Sequence, residues 1–145
     1  MHFPVYRQLD ATDCGPTCLR MVARHYGRSI PLELLRDRCA ITRAGVSLLG
    51  ISTAAESIGF RTLAARVSFA ILRTEAPLPC IAHWQQNHFV VIVAVGRNRV
   101  RVADPAHGML SYSRDEFLAG WASAGNQEGV VLLLEPTPAF HHDEL

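Results

Sequence analysis

Apolar residues in this chain change their spacing once, close to Gly59, and that change decides what the chain can fold into. Before it, they recur every three or four positions, as on one face of a helix; after it, they gather into short runs of strand length. The helical part begins at Cys14, where Cys18, Leu19, Val22, Ala23 and Tyr26 share a face and Gly27 stands at the C-cap position. Residues 31–38 offer a short second helix with Leu32 and Leu35 inward. Ser47 caps a third, whose buried stripe is Leu48, Ile51, Ala55 and Ile58. Strands follow at 60–67, 80–84, 88–95, 99–103, 109–112 and 130–134, separated by Pro, Gly and Asn. One helix interrupts them, with Ser113 and Glu116 as a capping box ahead of Phe117 and Leu118 and with Gly120 at its end. Helices first and an antiparallel sheet second is an α+β layout.

A single domain is expected. The 145 residues are 49% hydrophobic and 19% charged, enough apolar surface to bury a core and too little charge for disorder. A formal net charge of +1 gives no reason to expect a nucleic-acid partner. All 14 basic residues are Arg, and the absence of Lys excludes P-loop ATPase and Schiff-base chemistry on this chain. The longest apolar runs, 89–95 and 130–134, fall well short of the roughly 20 residues of a transmembrane helix.

Cys14 opens the first helix, where unpaired N–H groups and the positive end of the helix dipole favour a thiolate. Asp13 fits the N-cap, and Pro16 fits a first turn that has no use for its missing N–H. Gln8 stands six residues before the thiol; its amide, with the Cys14 backbone N–H, would make a pair of donors for an oxyanion. Cys18, Cys39 and Cys80 read as structural thiols rather than disulfide partners, since no secretory apolar segment follows Met1. No second cysteine pair at ligand spacing accompanies Cys14 and Cys18, so no metal site is expected, and no phosphate-binding glycine motif points to a nucleotide. No cofactor is expected.

A polar turn at Gln85-Gln86-Asn87 delivers His88 onto an apolar strand, and the next strand returns to Asp104. Cys, then His, then Asp is the order of a papain-like site. Side chains alternate across a strand, so His88 and Asp104 share a face only if the connection has odd length or a bulge lies near Gly96-Arg97-Asn98. A three-residue loop would pair Val95 with Arg99 and Val90 with Asp104, which makes His88 and Asp104 diagonal neighbours. His83 and His107 lie within reach of the same cleft, whereas His25 reads as a surface or satisfied core residue and His2, His141 and His142 as solvated. The closing tetrapeptide His142-Asp143-Glu144-Leu145 spells an endoplasmic-reticulum retention signal, a match expected to be accidental without a signal peptide.

Gln8, Asp13-Cys14-Gly15, Asn87-His88-Phe89-Val90-Val91 and Asp104-Pro105-Ala106 with Gly108 together resemble the bacteriocin-processing cysteine peptidase domains of peptidase-containing ABC exporters. The resemblance runs in order from Tyr6 to Pro136. It implies a papain-like fold over 1–136, with 137–145 as a polar tail or the start of a linker to an absent transmembrane domain. It implies the catalytic set Cys14, His88, Asp104 and Gln8, and cleavage after the double glycine that ends a leader peptide. The implied partners are that leader and the transmembrane and nucleotide-binding domains of an exporter. The implied location is the cytoplasmic face of a bacterial membrane. A narrow passage beside Cys14, with Trp84 and Phe89 as candidate walls, would account for the demand for small residues at the cut. An apolar groove for an amphipathic leader helix is expected nearby. Two other readings remain open at this point, a silent leader-docking module and a stand-alone papain-like amidase.

Overall fold

The computed structural model describes residues 3–41, 45–85, 87–122 and 127–142. His2, Gln86 and the last three residues of the chain lie outside that set. The expectations for the terminal His2, for part of the 85–87 turn and for the closing tetrapeptide therefore fall there as well.

Three helices come first, α1 (Cys14–His25), α2 (Leu32–Cys39) and α3 (Leu48–Ser57). The end of α1 is a Schellman motif: Gly27 takes φ +102°, its N–H bonds Arg24 O and the Arg28 N–H reaches back to Ala23 O. Ser47 caps α3 as expected, accepting the Gly50 N–H at 3.0 Å. In α2, Leu35 and Cys39 are buried while Leu32 is only half-buried.

The remainder is β1 (Phe60–Ser68), α4 (Phe69–Thr74), β2 (Cys80–Trp84), β3 (His88–Val95), β4 (Arg99–Asp104), β5 (Gly108–Ser113), α5 (Arg114–Trp121), β6 (Glu128–Pro136) and α6 (Pro138–His142). The strands form one antiparallel sheet in the order β1-β6-β2-β3-β4-β5. Both faces of its centre are covered. Ile81, Phe89, Val91, Ala103 and Leu132 pack under α1, α2 and α3, while Cys80, Ala82, Val90, Ile92 and Val102 pack under α4 and α5. This two-sided burial is why 80–82 in β2 and 89–95 in β3 are continuously apolar instead of alternating. The capping box of α5 is formed as expected, Ser113 Oγ accepting the Glu116 N–H and Glu116 accepting the Ser113 N–H.

Two short helices were not legible in the sequence. α4 holds only six residues, below the length at which periodicity is diagnostic, yet it buries Phe69 and Leu72 against the second face. α6 falls where a polar tail is expected. Thr137 ties its start to Gly59 O through both N–H and Oγ1. Phe140 is fully buried against Phe60, ring centroids 4.6 Å apart, and Arg28 donates to Phe140 O at 3.0 Å. The packed unit therefore continues past Pro136, because one large aromatic in an otherwise polar stretch has a site waiting for it beside Tyr26.

Replacing Phe140 by Ala should lower unfolding free energy by about 3–5 kcal/mol, the usual range for a fully buried aromatic. Truncation after Pro136 should cost at least as much. Urea denaturation of the two variants checks both.

Candidate active site

The nucleophile candidate is set by how α1 meets the sheet. Cys18 is fully buried and its Sγ donates to Phe89 O in β3 at 3.3 Å. Cys14 lies one turn, about 5.4 Å, nearer the helix start, which puts its thiol level with His88, the residue before Phe89. Gly15 makes this close docking of the helix end achievable. A Cβ there would run into Val46 Cγ1 and meet Ile51 at 2.9 Å, so α3 and the segment before it pack directly on the backbone beside the thiol.

Asp13 occupies the N-cap position but does not act as the expected cap. Its carboxylate is fully buried and turned toward α2, where Arg36 grips it with Nε to Oδ1 at 2.7 Å and Nη2 to Oδ2 at 2.6 Å. A bidentate guanidinium satisfies two carboxylate oxygens at once, which outweighs the single N–H contact a cap offers. The pair also draws the Asp13 charge away from the neighbouring thiol. Nothing in the spacing of the second helix marks Arg36 for this role.

His88 follows a turn in which Gln85 and Asn87 both adopt left-handed backbone, φ 52° and 78°. Its Nε2 is 2.8 Å from Asp104 Oδ1, which leaves Nδ1 as the ring nitrogen toward the Cys14 thiol. Asp104 closes β4, is 2% exposed, and accepts a second hydrogen bond from the Ala106 N–H at 2.8 Å. The two residues share a face by a route partly different from the expected one. The hairpin loop is the two-residue Arg97-Asn98, with Gly96 N–H bonded to Arg99 O and Val95 paired with Val100, so the three-residue loop and its Val95–Arg99 pair do not form. A bulge between Ile92 and Ala94 supplies the missing offset, after which Ile92 faces Val102 and Val91 faces Ala103. One further step sets Val90 opposite Asp104, as the parity argument demands.

Hydrogen bonding of the imidazole to the Asp104 carboxylate, which accepts, and to Cys14 outweighs the effect of burial and raises the His88 pKa to about 9. Burial pulls the Asp104 carboxyl upward, but the bonds from His88 and Ala106 prevail and hold it below its ordinary value. The other thiols are driven the opposite way from reactivity. Burial, and then the charges of Cys14 and Asp104, push Cys18 well up, and burial alone pushes Cys39 and Cys80 to about 12. All four thiols are free.

Gln8 is brought to the same corner, its N–H bonded to Pro105 O at 2.9 Å just after Asp104. Its side chain is not presented as an oxyanion donor: Nε2 donates to Asp10 O at 3.0 Å, and Oε1 is buried with no partner among the described residues. Half a turn of the amide exchanges these two ends, at the cost of the Nε2–Asp10 O bond.

Cys14 opens onto a cleft of about 530 Å³ whose lining includes Thr12, Val46, Leu48, His83, Asn87 and Phe89. Phe89 is thus a wall of the cleft as expected, but Trp84 is not. Its ring points to the other face of the sheet, against Tyr112 and Phe117, and lines a separate hollow with His88, Asp104 and His107. The segment 45–48 went unrecognised as cleft wall because its glycine and serine read as turn and cap. Among the described residues no group of three His, Cys, Asp or Glu side chains could hold a metal ion, and no helix is long and apolar enough to cross a membrane.

A helical lobe that ends in a thiol, set against a six-stranded antiparallel sheet that carries the imidazole, is the architecture of papain-like cysteine peptidases. The sequence profile of the Peptidase C39 family matches residues 2–139, and the chain belongs to that family. Among solved structures it is similar to a double glycine motif protease from an AMS/PCAT transporter in complex with the leader peptide, at 33% identity over 92% of this chain and 91% of that one, with a TM-score of 0.85. The peptidase domain of Streptococcus ComA, a bifunctional ABC transporter of a quorum-sensing pathway, gives 27% identity and a TM-score of 0.84 over 94% of this chain and all (100%) of that one. Curated relatives include the colicin V secretion/processing ATP-binding protein CvaB of Escherichia coli, 41% identical over 98% of this chain, and the lactococcin-A transport/processing ATP-binding protein LcnC of Lactococcus lactis subsp. lactis, 35% identical over 92%. The chain spans 19% of the length of each of these two proteins.

Burial pushes the pKa of Cys18, Cys39 and Cys80 up, whereas Cys14 opens onto the cleft beside His88 at a helix start, so Cys14 should be the single fast-reacting cysteine at neutral pH. Limited iodoacetamide labelling with peptide mapping checks this; preferential modification of Cys39 or Cys80 would contradict it.

Proposed function

We propose that the domain is a cysteine endopeptidase that removes double-glycine-type leader peptides from peptides exported by an ABC transporter. Its partners are that leader and the transmembrane and nucleotide-binding domains of the exporter, on whose cytoplasmic side it works. The observation that carries this reading is the unbroken series from the Cys14 thiol through His88 to buried Asp104, opening on the Cys14 cleft. A silent docking module has no use for such a series, and its presence disfavours that alternative.

In the reaction, the proton of the Cys14 thiol rests on His88 Nδ1, whose raised pKa of about 9 keeps it there as imidazolium while Cys14 Sγ attacks the scissile carbonyl carbon. Asp104 holds the ring with Nε2–H toward itself and stabilises the imidazolium. The Cys14 N–H and the Gln8 amide, once turned from Asp10, receive the oxyanion; losing one such donor typically slows reaction about 10²–10³-fold. The tetrahedral intermediate collapses, the C–N bond breaks, and His88 gives its proton to the leaving amine. Water, activated by the now neutral His88, hydrolyses the thioester and returns Cys14 to its thiol. Bulky residues at the cut would meet Val46 and Phe89 beside the thiol, which accounts for a preference for glycine there.

Incubation with a leader peptide that ends in Gly-Gly should yield a single cut after the second glycine, and Cys14→Ala should abolish it. Val in place of that glycine should remove turnover with little change in leader binding. Equal cutting of both peptides would leave the stand-alone papain-like hydrolase as the better reading.

The pH profile follows from His88. Its pKa is raised to about 9, so the protonated form that serves the leaving amine is present below that value and lost above it. The kcat/KM profile should fall as pH rises through about 9. Asp104→Asn removes the largest contribution to the shift, so the alkaline limb should move down toward about 6.5, the ordinary histidine value, with kcat lower by about 10²–10⁴-fold. The same sign applies to stability: the His88–Asp104 pair contributes fully below about 6.5 and loses its contribution as pH passes about 9.

A further inference from the structure

The sheet side of the Cys14 cleft is a row of three side chains on adjacent strands. His83 on β2 is paired with Phe89 on β3, and with Ala82 opposite Val131 the next step sets His83 beside Val130 on β6. All three line the same cleft as Cys14. We propose that His83 is a substrate-binding residue, its imidazole N–H donating to the backbone carbonyl of the penultimate leader residue and so fixing the position of the cut. The inference rests on the peptidase reading above and deepens it, since it names what holds a leader end that has no side chains to hold.

Two glycines offer an enzyme only their peptide groups. A carbonyl carried into the cleft leaves water behind and needs a donor there, or binding loses the cost of stripping it of water. The backbone of the sheet does not supply one. β2 and β3 are inner strands, and their N–H groups point along the sheet toward neighbouring strands instead of out of its face. A side chain has to do it. Thr12 and Ser47 are engaged within their own turns, by Asp10 and by the Gly50 N–H, and Asn87 stands exposed on the turn before His88.

His83 is uncommitted. Its ring lies 5.4 Å from that of Phe89 and is tilted by 56°, a contact that steadies it against the sheet. Among the described residues its ring nitrogens have no hydrogen-bond partner, and they are not sealed from solvent. An imidazole keeps at least one N–H in either protonation state. Its place in the row fits the penultimate residue. α1 meets the sheet at Phe89, so His83 lies one strand spacing farther from the thiol. That spacing is about 4.8 Å, and an extended peptide advances about 3.3 Å per residue, which puts His83 one to two residues from the cut. The leaving amine must stand at His88, which does not line this cleft, so the segment that runs past His83 is the leader end.

The test pairs two enzymes with two peptides. One peptide is a leader ending in Gly-Gly and followed by cargo; the other has a thioamide between the two glycines, so that sulfur, a poor acceptor, replaces the penultimate carbonyl oxygen. Wild type should cut the thioamide peptide with a kcat/KM about tenfold lower. His83→Phe, which keeps a ring against Phe89, should cut the ordinary peptide slower by a similar factor and lose little more with the thioamide, because the donor is already gone. His83→Leu takes its place if the melting curve shows that His83→Phe does not fold. No thioamide effect in wild type, or an effect of the same size in wild type and in the folded variant, overturns the role of His83 and leaves the peptidase reading intact. No cut of the ordinary peptide by wild type overturns both.

Discussion

The contact between α1 and β3 is the constraint on which the rest depends. A thiol and an imidazole that stand together at the cleft come from positions far apart in the sequence, on a helix and a strand that have no local reason to meet. The Cys18–Phe89 bond fixes them in register: one turn along the helix and one residue along the strand from that contact lie Cys14 and His88. A shift of one residue on the strand would turn His88 to the opposite face. The burial that makes Cys18 an unreactive thiol is thus the same packing that places Cys14.

The carboxylate reaches the pair through a second, independent device. A two-residue loop taken alone would leave His88 and Asp104 on opposite faces of the β3–β4 hairpin, and the bulge at Val93 corrects this. Bulges of this kind commonly re-aim a side chain beside an active site. With α5 covering one face and α1 the other, the hairpin has no freedom to slip, and Asp104 is held where His88 and the Ala106 N–H together keep it ionised despite its burial.

Charge is handled with similar economy around Cys14. Asp13 precedes Cys14 in the chain, and a free carboxylate there would oppose a thiolate. Arg36 neutralises it from α2 with a bidentate contact, which leaves the helix start facing the cleft. Gly15 then lets Val46 and Ile51 approach the backbone next to Cys14, so α1, α3 and the segment before α3 also shape part of the cleft.

How much of this could be read without coordinates follows the range of the interactions involved. The three early helices, the six strands, the Ser47 cap and the Ser113–Glu116 box depend on neighbours within about four residues, and they were legible because periodicity and capping are local signals. Cys14, His88 and Asp104, which the fold brings together, stood out as candidates from their order and from a family resemblance, and the need for a parity correction between His88 and Asp104 followed from strand geometry alone. What the tertiary structure decided were the matters settled by partners far along the chain. Asp13 turned from capping to Arg36, the offset came from Val93 instead of the loop, Trp84 went to the opposite face from Phe89, and Phe140 drew a polar-looking tail onto the core. Sequence patterns record which groups a segment must bury or satisfy. Which distant group does so is a competition between geometries, and that competition exists only once the chain is folded.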